Sequence, residues 1–330
     1  MRIIPFIFIL FCSNLSFAQV SLSLDTILMG SSFTFTAVAS DKSIANNSLQ
    51  AGLSEVQRIE AIISSWQPDS ETSLINKNAG IRPVKVSEEL FELIRRSKKI
   101  SELSNGYFDI SFAAMNDLWD FSKEAVTKPY DEAIGRALSK VDYQKIILNR
   151  DDSTVFLKEK GMRIGFGAIG KGFAANRAKM IMMEAGAEGG VVNAGGDLIS
   201  WGAKPDGSAW NVGIQNPKVD NDVLMWIPST NQAIVTSGNY EKYVDIDGVR
   251  YCHILNPKTG WPVVNMKSVT IICPDAELAD ALSTTVFVLG RIDGMDFINQ
   301  LTGVEGIIID ENDDVYFSAN IDSNYRRYEK

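Results

Sequence analysis

Residues 165–172 read GFGAIGKG, and the way that turn is built decides among three folds. Gly165, Gly167 and Gly170 fit the GxGxxG spacing of a dinucleotide-binding turn. In such a turn glycines let the main chain approach a pyrophosphate, and the following helix offers its free N–H groups. The same residues nearly fit a P-loop, GxxxxGK, except that Gly172 stands where a serine or threonine should hold Mg2+. A tight strand-to-helix turn that needs glycine for positive φ would give the same letters. The dinucleotide reading requires an uninterrupted βαβ unit leading to a ribose-binding acid, and the motif lies mid-chain without one. Lys171 sits just inside the expected helix, where the dipole disfavours a cation unless an anion is near. A phosphate site of a third kind is therefore expected.

Working outward, residues 53–66 put Leu53, Val56, Ile59, Ile62, Ile63 and Trp66 on one helical face. Ser87 can cap a helix through 88–104, with Glu88 and Glu89 in its first turn and Asn105-Gly106 ending it. Segments 143–148 and 154–158 read as a hairpin, and a helix is expected from about 171 to 184, closed by Gly186. The next hundred residues are β-rich, with strands expected at 190–200, 209–215, 222–228, 232–236, 242–246, 249–255 and 267–273. Pro274-Asp275 opens a helix through about 288, and 304–318 form a last hairpin. The class is α+β with antiparallel or mixed sheets, one interlocked body of two lobes.

Composition narrows the chemistry. The 330 residues carry a formal charge of −9 and no Lys/Arg-rich run, so no nucleic-acid face is expected. There is one histidine, His253, which excludes multi-histidine metal sites and HExxH hydrolases. Three cysteines, Cys12, Cys252 and Cys273, are too few for a disulfide scaffold; the last two read as small buried residues. At the N-terminus, Arg2, the apolar run 3–12 and Ser16-Phe17-Ala18 form the pattern of a secretory signal peptide. That predicts a leader over 1–18, one domain over 19–330, and an exported, periplasmic protein. Phe11 before Cys12 argues against a lipid anchor, since lipoprotein processing prefers a small residue there.

Further segments stand in order around the glycine turn: Met29-Gly30, Asn105–Asp109 (NGYFD), 193–202 (NAGGDLISWG), 233–240 (AIVTSGNY), 251–262 (YCHILNPKTGWP) and 280–285 (DALSTT). Together they resemble the ApbE family, the FAD:protein FMN transferases, from about Met29 to Leu289. The resemblance implies an α+β fold with a flavin cleft between lobes. It also implies Mg2+-dependent transfer of FMN from FAD to a threonine hydroxyl of a target flavoprotein, with release of AMP. Family targets are subunits of membrane redox complexes. Two alternatives stay open: an FAD diphosphatase, with water as acceptor, and a flavin-binding protein that performs no chemistry.

Asp280, Ser283 and Thr284 fall at i, i+3 and i+4, which brings their oxygens to one helical face, and such hard ligands suit Mg2+. The resemblance implies that this trio and the main-chain carbonyl of Ala168 bind the metal. It assigns FAD contacts to Met29, Trp66, Tyr107, Phe108, Asp109, Gly165, Lys171, His253 and Ile254. Asp280 and His253 are the expected catalytic residues, His253 accepting the threonine proton or steadying the diphosphate. The chain departs from the family at Gly165, Asn176 and Asn256, where many members carry aspartate; the loss at Gly165 is expected to weaken FAD recognition or to shift its task to Asp109.

Overall fold

The computed structural model describes residues 19–119, 121, 128–216 and 222–321. The expected leader, with Cys12, lies outside them. Elements follow in the order β1 (Val20–Leu28), β2 (Ser31–Ala39), α1 (Lys42–Ile63), α2 (Glu71–Lys77), β3 (Val84–Lys85), α3 (Glu88–Leu103), α4 (Asp131–Leu138), β4 (Ile146–Asn149) and β5 (Thr154–Leu157). Then come α5 (Gly170–Glu184), β6 (Gly189–Ala194), β7 (Asp197–Trp201), β8 (Trp210–Gln215), β9 (Val223–Ser229), β10 (Ala233–Gly238), β11 (Tyr243–Ile246) and β12 (Val249–Cys252). The chain closes with β13 (Met266–Cys273), α6 (Ala276–Leu289), α7 (Arg291–Asn299), β14 (Glu305–Asp310) and β15 (Val315–Phe317).

Eight strands form one sheet in the order β1-β2-β6-β7-β10-β13-β14-β15, and each neighbouring pair is antiparallel. This removes the dinucleotide-fold reading, which needs parallel strands. Residues 162–164, the segment directly before the glycine turn, are irregular rather than a strand. The β1–β2 hairpin, α2, β3, α4 and α7 lie outside the expected elements, and α1 begins eleven residues earlier than expected. Asp41 caps it by accepting from the Ser43 and Ile44 N–H groups.

Side-chain alternation assigns the two faces of the sheet. Ala233, Val235, Val269 and Ile271 point to the helices α5 and α6, whereas Ile234 and Ile272 point to the β8–β9 hairpin, which covers the other face. Helix α5 packs between α1 and α6 across strands β6 and β7. Its buried residues include Ala174, Ala175 and Ala178 beside the larger Phe173 and Met182, and at the alanines neighbouring backbones can approach closely. The smaller lobe holds α2, α3 and the three-stranded sheet β3-β5-β4, and its core runs continuously into that of the large sheet. Phe35 and Phe91 belong to that one core; removing either side chain would cost about 3–5 kcal/mol.

Cys252 and Cys273 are both buried and free, as two small core residues should be. Burial pushes both thiols up to about 11, so neither is a nucleophile at neutral pH.

Candidate active site

The glycine turn is the seam between the lobes. Gly165 donates its N–H to the Ile110 carbonyl at 2.9 Å, while Gly172 donates to Asp280 Oδ2 on α6 at 2.9 Å. None of Gly165, Gly167, Gly170 and Gly172 has positive φ, so the turn does not use glycine for its conformation. Close approach is the reason instead: a Cβ on Gly172 would sit 2.1 Å from the Ala276 carbonyl oxygen and 2.8 Å from Asp280 Cβ. The P-loop hydroxyl is missing because α6 occupies its space.

Helix α5 has no side-chain cap and no acid in its first turn. Lys171 stands there, largely buried, and its Nζ lies 2.9 Å from Asp197 Oδ2. The anion demanded by a lysine at a helix start is thus a carboxylate of this chain. Asp197 is 1% exposed and follows directly on a two-residue hairpin turn, Gly195-Gly196, whose φ values of 63° and 102° require glycine. The Asn193 side chain holds that turn by accepting from the Gly196 N–H.

Three carboxylates, Asp197, Asp280 and Glu241, surround this one ammonium. Burial raises Asp280 well above the ordinary aspartate value, and the Asp197 and Glu241 charges add to it; Lys171 and the Gly172 N–H oppose them without compensating. Burial likewise raises Asp197 despite its lysine. Glu241 is accessible to water yet sits in a recess of protein, and this desolvation pushes its carboxyl up to about 7. Burial works against the Lys171 charge, but the surrounding acids hold its ammonium above the usual lysine range. Sequence reading did not place Asp197 or Glu241 in the site; the lysine inside a helix start was the signal that an acid had to be near.

Around this centre, Thr284 is half-buried on α6, with its Oγ1 3.4 Å from Ser237 Oγ on β10. Ser283 is fully buried; its hydroxyl donates to the Asp280 carbonyl and lies 2.8 Å from Ser237 Oγ, so it ties α6 to β10. Ala168 lies in the turn immediately before α5. His253 follows β12, and its N–H and Nδ1 both meet the Lys242 carbonyl, at 3.0 and 3.2 Å. Nδ1 therefore carries the proton and Nε2 is left as the acceptor. Burial pushes the imidazole down to about 4, and the Lys171 and Lys242 charges add to this, so it is neutral at pH 7.

The remaining expected contacts divide. Met29 takes the left-handed conformation, φ 50°, in the two-residue turn between β1 and β2, and its Cε lies 3.6 Å from where a Gly170 Cβ would be. Trp66 is not a core residue: it is 76% exposed beyond the end of α1. Tyr107 is half-buried beneath the Lys258 ammonium. Phe108 and Ile254 are buried in the main core, which leaves only their main chain for a ligand. Asp109 is engaged within the fold. Its carboxylate accepts from the Ser111 N–H and hydroxyl and from the Tyr143 N–H, all within 2.8 Å, and so fastens two chain segments. Asn176 bonds Asp275 and the Ala276 N–H, joining α5 to the start of α6, and Asn256 accepts from the Lys258 N–H in a turn.

A 340 Å³ pocket adjoins the centre through Glu241, on the sheet face away from α6, with Asn193, Gly196, Thr236 and Tyr240 in its wall. A larger depression of 530 Å³ at Phe91, Arg95 and Arg150 touches none of these residues; its arginines are paired with Glu88 and Glu92.

Fold and site define an antiparallel α+β protein with a buried acid–lysine centre at a glycine-led helix start, neither a nicotinamide dehydrogenase nor a P-loop NTPase. The ApbE family profile matches residues 29–308, and the chain belongs to the ApbE family. A Klebsiella pneumoniae protein named FAD:protein FMN transferase is 30% identical over 299 residues, spanning 90% of this chain and 92% of its own. A Treponema pallidum protein of the same name is 32% identical over 292 residues, 83% and 81% of the two chains. Among solved structures, the ApbE protein of Thermotoga maritima superimposes with a TM-score of 0.85 at 32% identity, covering 94% of this chain and 100% of that one. The flavin transferase ApbE of Vibrio cholerae shares the fold, with a TM-score of 0.81 at 24% identity over 91% and 98% of the two chains.

Proposed function

We propose that this chain is an exported FAD:protein FMN transferase that works with Mg2+ and passes FMN to a threonine hydroxyl of a target flavoprotein, a membrane redox-complex subunit. The transferase activity is supported by the names of relatives that align over most of both chains. Export is supported by the leader pattern in residues 1–18. The observation that carries the chemistry is the imbalance at the centre, where Asp197, Asp280 and Glu241 converge on the single cation Lys171. Two of these carboxylates, Asp197 and Asp280, are buried, and together they exceed the one ammonium by a charge that a divalent cation would offset.

Asp280, Thr284 and the Ala168 carbonyl are the residues that would hold Mg2+, with Ser283 bracing α6 behind them. Bound there, the metal supplies charge neutralisation for a diphosphate and its leaving group. Lys171 binds a phosphate oxygen through the ammonium donors that Asp197 leaves over. His253 Nε2 takes the proton of the attacking hydroxyl, and its low proton affinity keeps it available as a base across neutral pH. In the balanced reaction, the threonine oxygen bonds to the FMN phosphorus, the P–O bond of the diphosphate bridge breaks, and AMP leaves with that bridging oxygen.

The test incubates purified protein with FAD and Mg2+, with and without a threonine-bearing acceptor domain, and follows AMP and covalent flavin fluorescence. Fluorescent acceptor from the wild type and none from Asp280→Ala is the expected result. AMP with free FMN and no labelled acceptor would replace the transferase with a diphosphatase, and FAD bound but uncleaved would overturn both.

A further inference from the structure

The Lys171–Asp197 contact is costly as a purely structural feature. A lysine in the first turn of a helix opposes the dipole, and burying its ammonium with a carboxylate gains little over an apolar pair of the same volume. The fold nevertheless keeps both, with Asp197 1% exposed. Asp197 also differs from the other buried aspartates in what it holds. Asp109 fastens three N–H and O–H donors and Asp280 takes the Gly172 N–H, whereas Asp197 has no polar partner other than Lys171 among the described residues. That single partner is close: Oδ2 lies 2.9 Å from Nζ. An ammonium has three donors, so one carboxylate contact leaves donors for another acceptor.

Asp197 is built to be rigid. It is the first residue after the Gly195-Gly196 turn, in register with Ala194, on a strand paired on both sides. Lys171, by contrast, ends a flexible four-carbon stem that would otherwise sample many positions. We propose that Asp197 is the positioning residue of this site: it fixes the Lys171 ammonium beside Asp280, so that the cation meets the FAD diphosphate already in place. This rests on the transferase reading above. It assigns Asp197 an effect on the rate, through Lys171, and little effect on FAD affinity, because the lysine charge survives the loss of Asp197.

The experiment compares Asp197→Asn, Asp197→Glu, Lys171→Met and the double variant Lys171→Met/Asp197→Asn. AMP release from FAD with Mg2+ gives kcat and KM, and flavin fluorescence titration gives the FAD dissociation constant. Asp197→Asn is expected to lower kcat about 30-fold or more while FAD affinity changes less than about threefold or tightens. Asp197→Glu, which keeps the charge but moves it by one methylene, is expected not to restore kcat. Lys171→Met is expected to weaken FAD binding, and adding Asp197→Asn to it is expected to change kcat no further. Additive losses in the double variant, or near-normal kcat in Asp197→Glu, would overturn the proposal. Should Asp197→Asn fail to fold, the Asp197→Glu result and the Lys171 ammonium NMR signal decide. That signal is expected to be sharp in the wild type and averaged in Asp197→Glu, and an unchanged signal would count against positioning. Because the NMR readout needs no turnover, a wild type that releases no AMP would defeat the transferase reading while leaving Asp197 open to measurement.

Discussion

Helices α3 and α5 begin in opposite ways. At α3 every local rule is met: Ser87 Oγ accepts from the Leu90 N–H, and Glu88 and Glu89 occupy the first turn. At α5 no side chain caps the start, no acid stands in the first turn, and Lys171 does. The Gly172 N–H that a cap could have served goes to Asp280, and the lysine goes to Asp197. One helix is satisfied by its own neighbours in sequence; the other is satisfied only by residues that the fold brings from far along the chain. Where local rules are broken and repaired at long range, chemistry is the usual reason.

The largest effect expected from disturbing this contrast lies at Asp280. Asp280→Ala should lower AMP release from FAD by about a thousandfold or more, while the thermal midpoint stays level or rises, since a buried carboxyl with a raised pKa is removed. A fall in midpoint matching the loss of a cap, about 1 kcal/mol, would instead make Asp280 a stabiliser of α5. Next comes His253. His253→Ala should cost 10²- to 10⁴-fold in transfer. The histidine's own acid limb in kcat/KM should lie near pH 4, where the depressed imidazole protonates, and an acid limb near 6.5 that persists in Glu241→Gln would show a hydrated histidine.

A stability test of the seam follows. Gly172→Ala forces a methyl against the Ala276 carbonyl and should cost at least about 3 kcal/mol in urea unfolding. Gly167→Ala, with only Phe112 Cζ at 3.7 Å, should stay within about 0.5 kcal/mol. Equal costs would return the glycines to a conformational role.

Much of this was legible in the residues. The α3 start, the β-rich middle and the Asp280–Thr284 face are local patterns, and local patterns survive in any fold. The β1–β2 hairpin escaped because its turn is Met29-Gly30 rather than an asparagine- or aspartate-glycine pair, although Phe33 and Phe35 alternate cleanly. The reason for glycine at 172 is a helix a hundred residues away, and no spacing rule contains that. The lysine announced an anion, and a phosphate was expected; the fold supplied Asp197, which falls inside the single strand expected over 190–200 and in the fold follows a hairpin turn. Asp109 shows a structural role that its motif did not announce: its oxygens accept from Ser111 and Tyr143 and join two chain segments.

The smallest effect separates the two helix starts by pH. Ser87→Ala should cost about 1 kcal/mol, and a lost neutral cap has no titration of its own. Glu241→Gln should behave differently. Burial, with Asp197 adding and Lys171 opposing, raises the Glu241 carboxyl from its ordinary 4.5 to about 7. The folded state then binds more protons than the unfolded one between those values, so this group's contribution to stability falls as pH rises through that window. The Gln variant escapes the penalty. Its thermal midpoint should match the wild type below about pH 4.5, move above it as pH rises, and hold a small, constant lead beyond about pH 7. The lead is small because Glu241 remains open to water on its pocket side. Equal midpoints at pH 8 would mean that water on that side fully screens Glu241 from Asp197. The acid–lysine centre would then end at Asp280, and the pocket beyond it would carry no part of its charge.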